Sequence, residues 1–388
     1  MASRRFILAF YFSTLLSSIG SAAFTLCCLV FLLRAGYPQW EVSLLIGATR
    51  FLPLLVMMKW GDISDRWRAR DVVLAAEVVA FLSTFFILWA WAGGREYFGV
   101  FAAAVVVRSC VINLQTGGRG KIAKQLSDAS FASNQKNSIW LTNATQGATL
   151  FAGIFGWYAL ENLEFWHVIL FDAATFLVSG AIFLKVAPPI HTEASRPLAW
   201  REKFKALYNA APRETFFDVL LAIALCGFWS FLSRAANAAA VSPYFFLISF
   251  GLAVWIAAGL ERKTLQNIPS AGLWLTLSLS YFACGLFVGA GKWIIGLIFL
   301  RDISYWLLYH RITAHIQTKS PAASMASITS ARFTQMVFIL ASGEFLVGAW
   351  SSSLGFAEEA FLRALIPLFA LAIKFYFSRV DKKPRAFA

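Results

Sequence analysis

Gly61-Asp62-Ile63-Ser64-Asp65-Arg66-Trp67-Arg68-Ala69-Arg70 is a charged hairpin between two apolar runs, residues 41–60 and 71–93. Each run is long enough to cross a bilayer, which takes roughly 20 apolar residues. The whole chain repeats that alternation. Of its 388 residues 59% are hydrophobic and 16% aromatic, and mean hydropathy is +0.66. Only 14% are charged, against about one quarter in a soluble protein. An ordinary soluble domain is excluded. A net charge of +14 raises the question of nucleic acid. The basic residues are not gathered on one domain, however; they sit between apolar runs, as the positive-inside rule requires. The partner they imply is a lipid bilayer, with no nucleic acid.

Read by length, the chain has twelve spans: 6–34, 41–60, 71–93, 97–117, 136–160, 165–186, 214–236, 240–260, 270–291, 293–312, 326–350 and 360–380. The first is too long and too flecked with polar residues for a cleaved signal peptide, and no small-residue cleavage site follows it. One set of loops carries Arg4/Arg5, Arg66/Arg68/Arg70, Arg119/Lys121/Lys124, the basic stretch Arg196–Arg213, Arg262/Lys263, Arg311/Lys319 and Lys382/Lys383/Arg385. The alternate loops are short and carry Glu96, Glu161, Glu164, Glu358 and Glu359. The basic set is cytoplasmic, so both termini are expected inside and the protein in the cell inner membrane, multi-pass. Pro243 crowds spans seven and eight.

The longest segment between spans, about 187–213, holds Pro188-Pro189, Pro197 and a basic amphipathic piece from Trp200 to Tyr208. It is expected to lie along the cytoplasmic membrane surface. It divides the chain into an N-terminal six-helix half, 1–186, a linker, 187–213, and a C-terminal six-helix half, 214–388. Weak echoes join the halves. Arg108 stands near the middle of span four and Arg301 near the middle of span ten; Gly259-Leu260-Glu261-Arg262-Lys263 is a degraded counterpart of the Gly61 hairpin.

The order Gly61-x-x-x-Asp65-Arg66 with further arginines, directly after the second span, resembles the loop joining spans two and three in major facilitator superfamily transporters. Those proteins are built from parallel six-helix halves with nested inverted repeats. The first half is similar to the macrolide-efflux and enterobactin-exporter branch. The likeness rests on Arg108-Ser109, Gly117-Gly118, Ala132-Ser133-Asn134, the glycines 147, 153 and 156, and Asp172-Ala173-Ala174-Thr175-Phe176 in span six. Arg68 stands where the hairpin signature usually has glycine, and Ala69 where it has arginine. The Gly-Pro pair that marks many proton-driven antiporters in span five is missing. The resemblance implies that Gly61, Asp65, Arg66 and Arg70 form a conformational latch, the aspartate contacting helix ends of the opposite half. A carboxylate is attracted to a helix N-terminus.

Ionisable side chains inside a bilayer are costly and face a cavity or a partner. Arg50, Arg108 and Arg301 are candidates for a substrate-binding cavity. Arg108 either holds an anionic group or pairs with Asp172. Asp302 is adjacent to Arg301, but successive helix positions diverge by about 100°, so both cannot face one point. Asp172 and Glu344 are rival proton-coupling carboxylates, with Glu77 behind them; burial raises a carboxyl pKa toward neutrality. Ser13, Ser17, Ser21 and Thr25 form a stripe at four-residue spacing on span one. Close helix packing and cavity lining both account for it, and Ser17 and Ser21 are the cavity candidates.

The five cysteines, Cys27, Cys28, Cys110, Cys226 and Cys284, have no metal or redox spacing, and the four histidines have no ligand spacing. No phosphate loop, zinc-protease motif or nucleophile elbow occurs, so neither catalysis, a cofactor nor a metal is expected. The expected function is a secondary active transporter of a small organic solute, working by alternating access with a proton or other coupling ion, as a monomer. Export follows from the resemblance. Import or exchange of an anionic solute, such as a carboxylate siderophore, is the alternative, motivated by the excess of buried arginine. A membrane sensor or scaffold that transports nothing is the reading from another class.

Overall fold

The computed structural model describes residues 4–38, 67–126, 131–186, 200–226, 243–263, 269–287, 293–320, 325–350 and 355–382, with parts of 41–56 and positions 231 and 235. Among these residues the chain is helical, with no strand. The helices are α1 (Arg4–Arg34), α2 (Ala69–Ala92), α3 (Phe98–Gln125), α4 (Phe131–Thr145), α5 (Ala148–Asn162), α6 (Phe165–Val186), α7 (Trp200–Ala210) and α8 (Pro212–Leu225). They continue with α9 (Pro243–Lys263), α10 (Ser270–Leu286), α11 (Trp293–Lys319), α12 (Met325–Trp350) and α13 (Phe356–Lys382). Among the described residues five helices are long and apolar enough to cross a membrane, in α1, α2, α3, α6 and α13.

Three departures from the length-based reading have local causes. Span five is two helices, α4 and α5, separated at Gln146-Gly147. The hydroxyls of Thr145 and Thr149 donate back to Leu141 O and Gln146 O at 2.9 and 2.6 Å. Such bonds compete with the helix ladder and bend it. Span four does not end at residue 117: α3 continues to Gln125, so Arg119 and Lys121, expected in a cytoplasmic loop, are helical and buried. Pro243 opens α9 at its first position, where the missing N–H is no loss. The amphipathic stretch within the expected linker is a helix, α7, with Leu207 buried and Arg201 and Lys205 outside the core.

Two compact units organise the chain: residues 1–215 with 313–338, and 216–312 with 339–388. In the first unit α1 packs on α5 and α6, and α2 on α3 and α6. Phe24, Cys27, Cys28, Ile87, Phe101 and Phe165 fill one part of its core. The outward faces stay apolar, with Leu82, Phe86 and Trp89 of α2 exposed, as lipid-facing positions demand. The chain leaves α1 through a Schellman turn, in which Tyr37 N bonds Leu32 O and Gly36 N bonds Leu33 O, both at 3.1 Å. Gly36 takes φ +81°, a left-handed value that glycine reaches without strain. In the second unit α10 lies on α13. Ser278 Oγ donates to Ala364 O at 2.7 Å, and Gly285 leaves room for the Phe361 ring.

Candidate functional site

The interior of the first unit is crossed by two buried ion pairs, both set by α3. Arg108 sends a two-pronged fork to Asp172 of α6, with Nε at 2.8 Å from Oδ2 and Nη2 at 2.7 Å from Oδ1. Arg108 is 2% exposed and Asp172 0%. Phe24 of α1 stacks under the guanidinium, 4.3 Å from ring centroid to Cζ, and Phe176 lies at 5.4 Å. Two parallel hydrogen bonds and a cation–π contact satisfy a charge that a bare hydrocarbon would not tolerate. Gly20 of α1 makes room for this: a Cβ there would lie 2.0 Å from Thr175 Oγ1 and 3.0 Å from Asp172 Oδ1.

Eleven residues further along α3, about three helical turns or 16 Å, Arg119 forms the second centre. Its Nη2 donates to Glu77 Oε1 of α2 at 3.0 Å and to Ser17 Oγ of α1 at 2.6 Å. Ser179 of α6 reaches the same Glu77 oxygen at 3.0 Å and Ser13 O at 2.9 Å. Four helices thus meet at one carboxylate. Glu77 Oε2, Arg119 Nε and the neighbouring Gln115 Nε2 have no partner among the described residues.

In the second unit Arg301 folds back onto its neighbour Asp302, Nε donating to Oδ1 at 2.9 Å and Nη2 to the same oxygen. The two Cβ directions diverge, as their adjacency dictates, but the long arginine wraps around to close the gap, so the two charges do share one point. Phe231 and Tyr281 flank that guanidinium at 5.4 and 5.5 Å. Phe231 also faces Arg363 of α13 at 5.1 Å, and Arg363 pairs with Glu359 one turn earlier at 2.7 Å. Arg363 stands eighth in α13, the place Asp172 holds in α6.

Of the other candidates, Ser17 is buried in the Arg119 network, and Ser21 is half-buried with Thr25 Oγ1 donating to its carbonyl at 2.8 Å. Arg70 Nη2 donates to Leu184 O near the end of α6 at 3.2 Å. Arg50, Gly61, Asp65 and Arg66 lie outside the described residues, and Glu344 is on α12 with its side chain outside them. Sequence reasoning missed Arg119 as a buried group. The signal was present: Arg108, Gln115 and Arg119 are seven and four apart, a single helical face.

Another set of contacts joins α3, α4 and α8 to the ends of α11 and α12 within the first unit. Lys124 Nζ donates to Gln317 O at 2.6 Å, Asn134 Nδ2 to Thr318 Oγ1 at 3.2 Å, and Lys319 Nζ to Glu214 Oε1 at 2.7 Å. Gly120 sits so close to Thr329 that a Cβ would lie 3.2 Å from its Oγ1.

Apolar helices with ion pairs buried between them and lipid-compatible outer faces describe a multi-pass membrane protein, helical throughout its described residues, with the major facilitator fold. Solved structures carry that statement. The chain is similar to the human organic anion transporter MFSD10 (TETRAN), with a TM-score of 0.77 at 14% identity, covering 95% of this chain and 99% of that one. It is similar to a bacterial homologue of the iron transporter ferroportin in its outward-facing state, with a TM-score of 0.78 at 12% identity, covering 97% and 100%. A second structure of that homologue, with soaked iron, gives 0.74 at 12% identity, covering 96% and 98%. No protein-family model matches the sequence, and no curated protein sequence does.

Proposed function

We propose that this chain is a secondary active transporter that moves a small organic solute across the inner (cytoplasmic) membrane by alternating access, exporting it in exchange for protons. The observation that supports this most directly is the fold, shared over nearly the whole chain with transporters. The two halves proposed to rock are 1–186 and 214–388, with both termini cytoplasmic. Asp172 is the proposed proton acceptor. While ionised it holds both prongs of the Arg108 fork. Taking up a proton would cancel its charge, loosen the fork, and free α3 and α6 to shift against one another. Glu344 keeps its place as the rival carboxylate. No chemical step on the solute is part of this reading.

Transport of an organic anion is the second reading, favoured by the fold shared with an organic anion transporter. Its sequence motive is weaker than it looked. Of the three arginines that motivated it, Arg108 and Arg301 each hold a carboxylate, as Arg119 also does, and Arg50 lies outside the described residues.

The test is reconstitution into vesicles of both orientations with an imposed pH gradient, using solutes found by a thermal-shift screen of antibiotics, siderophores and organic acids. Inside-out vesicles with an acid lumen are expected to accumulate the solute, and Asp172→Asn to abolish accumulation while leaving exchange without a gradient. Anion uptake only into right-side-out vesicles favours the second reading. Movement in neither orientation overturns both and leaves a sensor or scaffold.

A further inference from the structure

The second unit holds a group of buried polar atoms that the ion pairs do not use. His310 of α11 is fully buried, and neither of its ring nitrogens has a hydrogen-bond partner among the described residues. Trp306, one turn earlier, is 4% exposed, and its indole Nε1 also lacks a partner among them. Four-residue spacing puts both rings on one face of the helix, with centroids 6.3 Å apart. Phe250 of α9 meets the Trp306 ring at 5.4 Å, while Tyr305 and Tyr309 lie 5.2 and 5.3 Å from it.

Buried polar atoms are nearly always hydrogen-bonded, because leaving one dry forfeits its solvation. A helix that only had to fill this space would carry phenylalanine or leucine at both positions. Histidine inside a membrane helix marks a functional position by default. In its neutral form imidazole offers one N–H and one lone pair, and indole adds a second N–H. The set is two donors and one acceptor at the edge of several aromatic faces. A phenolic hydroxyl fits it: the oxygen accepts, the O–H donates to the bare imidazole nitrogen, and the ring stacks among its neighbours. A carboxylate would satisfy the donors but set its charge against that lone pair.

We propose that His310 and Trp306 form the polar floor of a substrate subsite for an uncharged aromatic hydroxyl group, walled by Phe250, Tyr305 and Tyr309. The subsite rests on the transport reading only in calling the ligand a substrate; binding tests it without any transport. Full-length protein with isotope-labelled histidine rings, held in lipid nanodiscs, is titrated with para-fluorophenol and separately with para-fluoroanisole, which keeps the ring but lacks the O–H. The chain has four histidines, and the signals lost in His310→Gln identify those of His310. Para-fluorophenol is expected to move the unprotonated His310 nitrogen, and para-fluoroanisole to leave it in place. His310→Phe should weaken para-fluorophenol binding about tenfold, the factor that one ordinary hydrogen bond supplies. Its melting temperature should stay at or above that of the parent, because an unsatisfied group has left the core. Trp306→Phe should weaken binding in the same way and serves where His310→Phe fails to fold. A His310 signal unmoved by millimolar para-fluorophenol, equal responses to the two probes, or undiminished affinity in both variants overturns the proposal. Binding without transport would leave it standing and sink the transport reading instead.

Discussion

A buried guanidinium that has both its prongs on one carboxylate makes each partner dangerous to remove alone. Arg108→Ala strands the Asp172 charge in a fully buried site, and loss of one partner of such a pair costs about 3–5 kcal/mol. The variant is expected to melt well below the parent in detergent. Arg108→Met combined with Asp172→Leu leaves no orphan charge and should recover most of that loss. A single variant as stable as the parent would show that the pair is wetter than its burial indicates. Transport by the double variant then separates structure from coupling, since a folded protein that still accumulates solute against its gradient has no need of Asp172. Gly20 offers an independent check. A Cβ there would run into Thr175 Oγ1, itself donating to Asp172 O at 2.7 Å, so neither neighbour yields cheaply. Gly20→Ala should cost about 1–3 kcal/mol through overpacking. Thr175→Ala in the same chain should restore part of it, because Asp172 Oδ1 still crowds the new methyl. A Gly20→Ala protein that melts with the parent would mean that α1 and α6 part easily.

Helix α3 explains both what could be read in advance and what could not. Arg108 stands amid valines, so its burial was visible from composition. Arg119 follows Gly117-Gly118 and precedes two lysines, a composition that reads as loop. The helix packs closely there because Gly118 admits a neighbour: a Cβ on it would lie 3.0 Å from Val73 of α2. The polar face then finds Glu77, Ser17 and Ser179 on three other helices. Partners on other helices are invisible to a window sliding along one chain. The last turn of α3 carries a second consequence. Lys124 places its ammonium on the Gln317 carbonyl, in the final turns of α11, where a cation is worth about 0.3–1 kcal/mol. Lys124→Met should loosen that end of α11. With Thr318→Cys as reporter, labelling from the cytoplasmic side should rise about two- to fivefold, the range those energies translate into. Unchanged labelling would mean that the Lys319–Glu214 pair and the Gly120–Thr329 contact hold the segment without it.

For the chain as a whole, the alternation of apolar length with flanking charge made a multi-pass membrane protein legible, and among the described residues five helices long and apolar enough to span match part of the expected twelve. Spans two and seven lie partly outside the described residues; of the others, α10 is short, span five is broken by its own threonines, and α11 and α12 dilute their apolar stretches with His310, Arg311, Arg332 and Glu344. Topology therefore needs its own test. The segments bearing Arg68 and Lys205 are expected in the cytoplasm, and those bearing Glu96 and Glu161 outside, where Trp157 Nε1 donates to Glu161 Oε1 at 3.1 Å in the manner of an interfacial aromatic. In a chain whose five cysteines are replaced by alanine or serine, single cysteines at positions 96 and 161 should react with an impermeant maleimide on intact cells. Cysteines at 68 and 205, and at added residues beyond each terminus, should react only after permeabilisation. An even number of crossings demands that both ends behave alike. One protected end and one labelled end would require an odd count, which two parallel six-helix halves cannot supply, and the exporter reading would lose the orientation on which its direction depends.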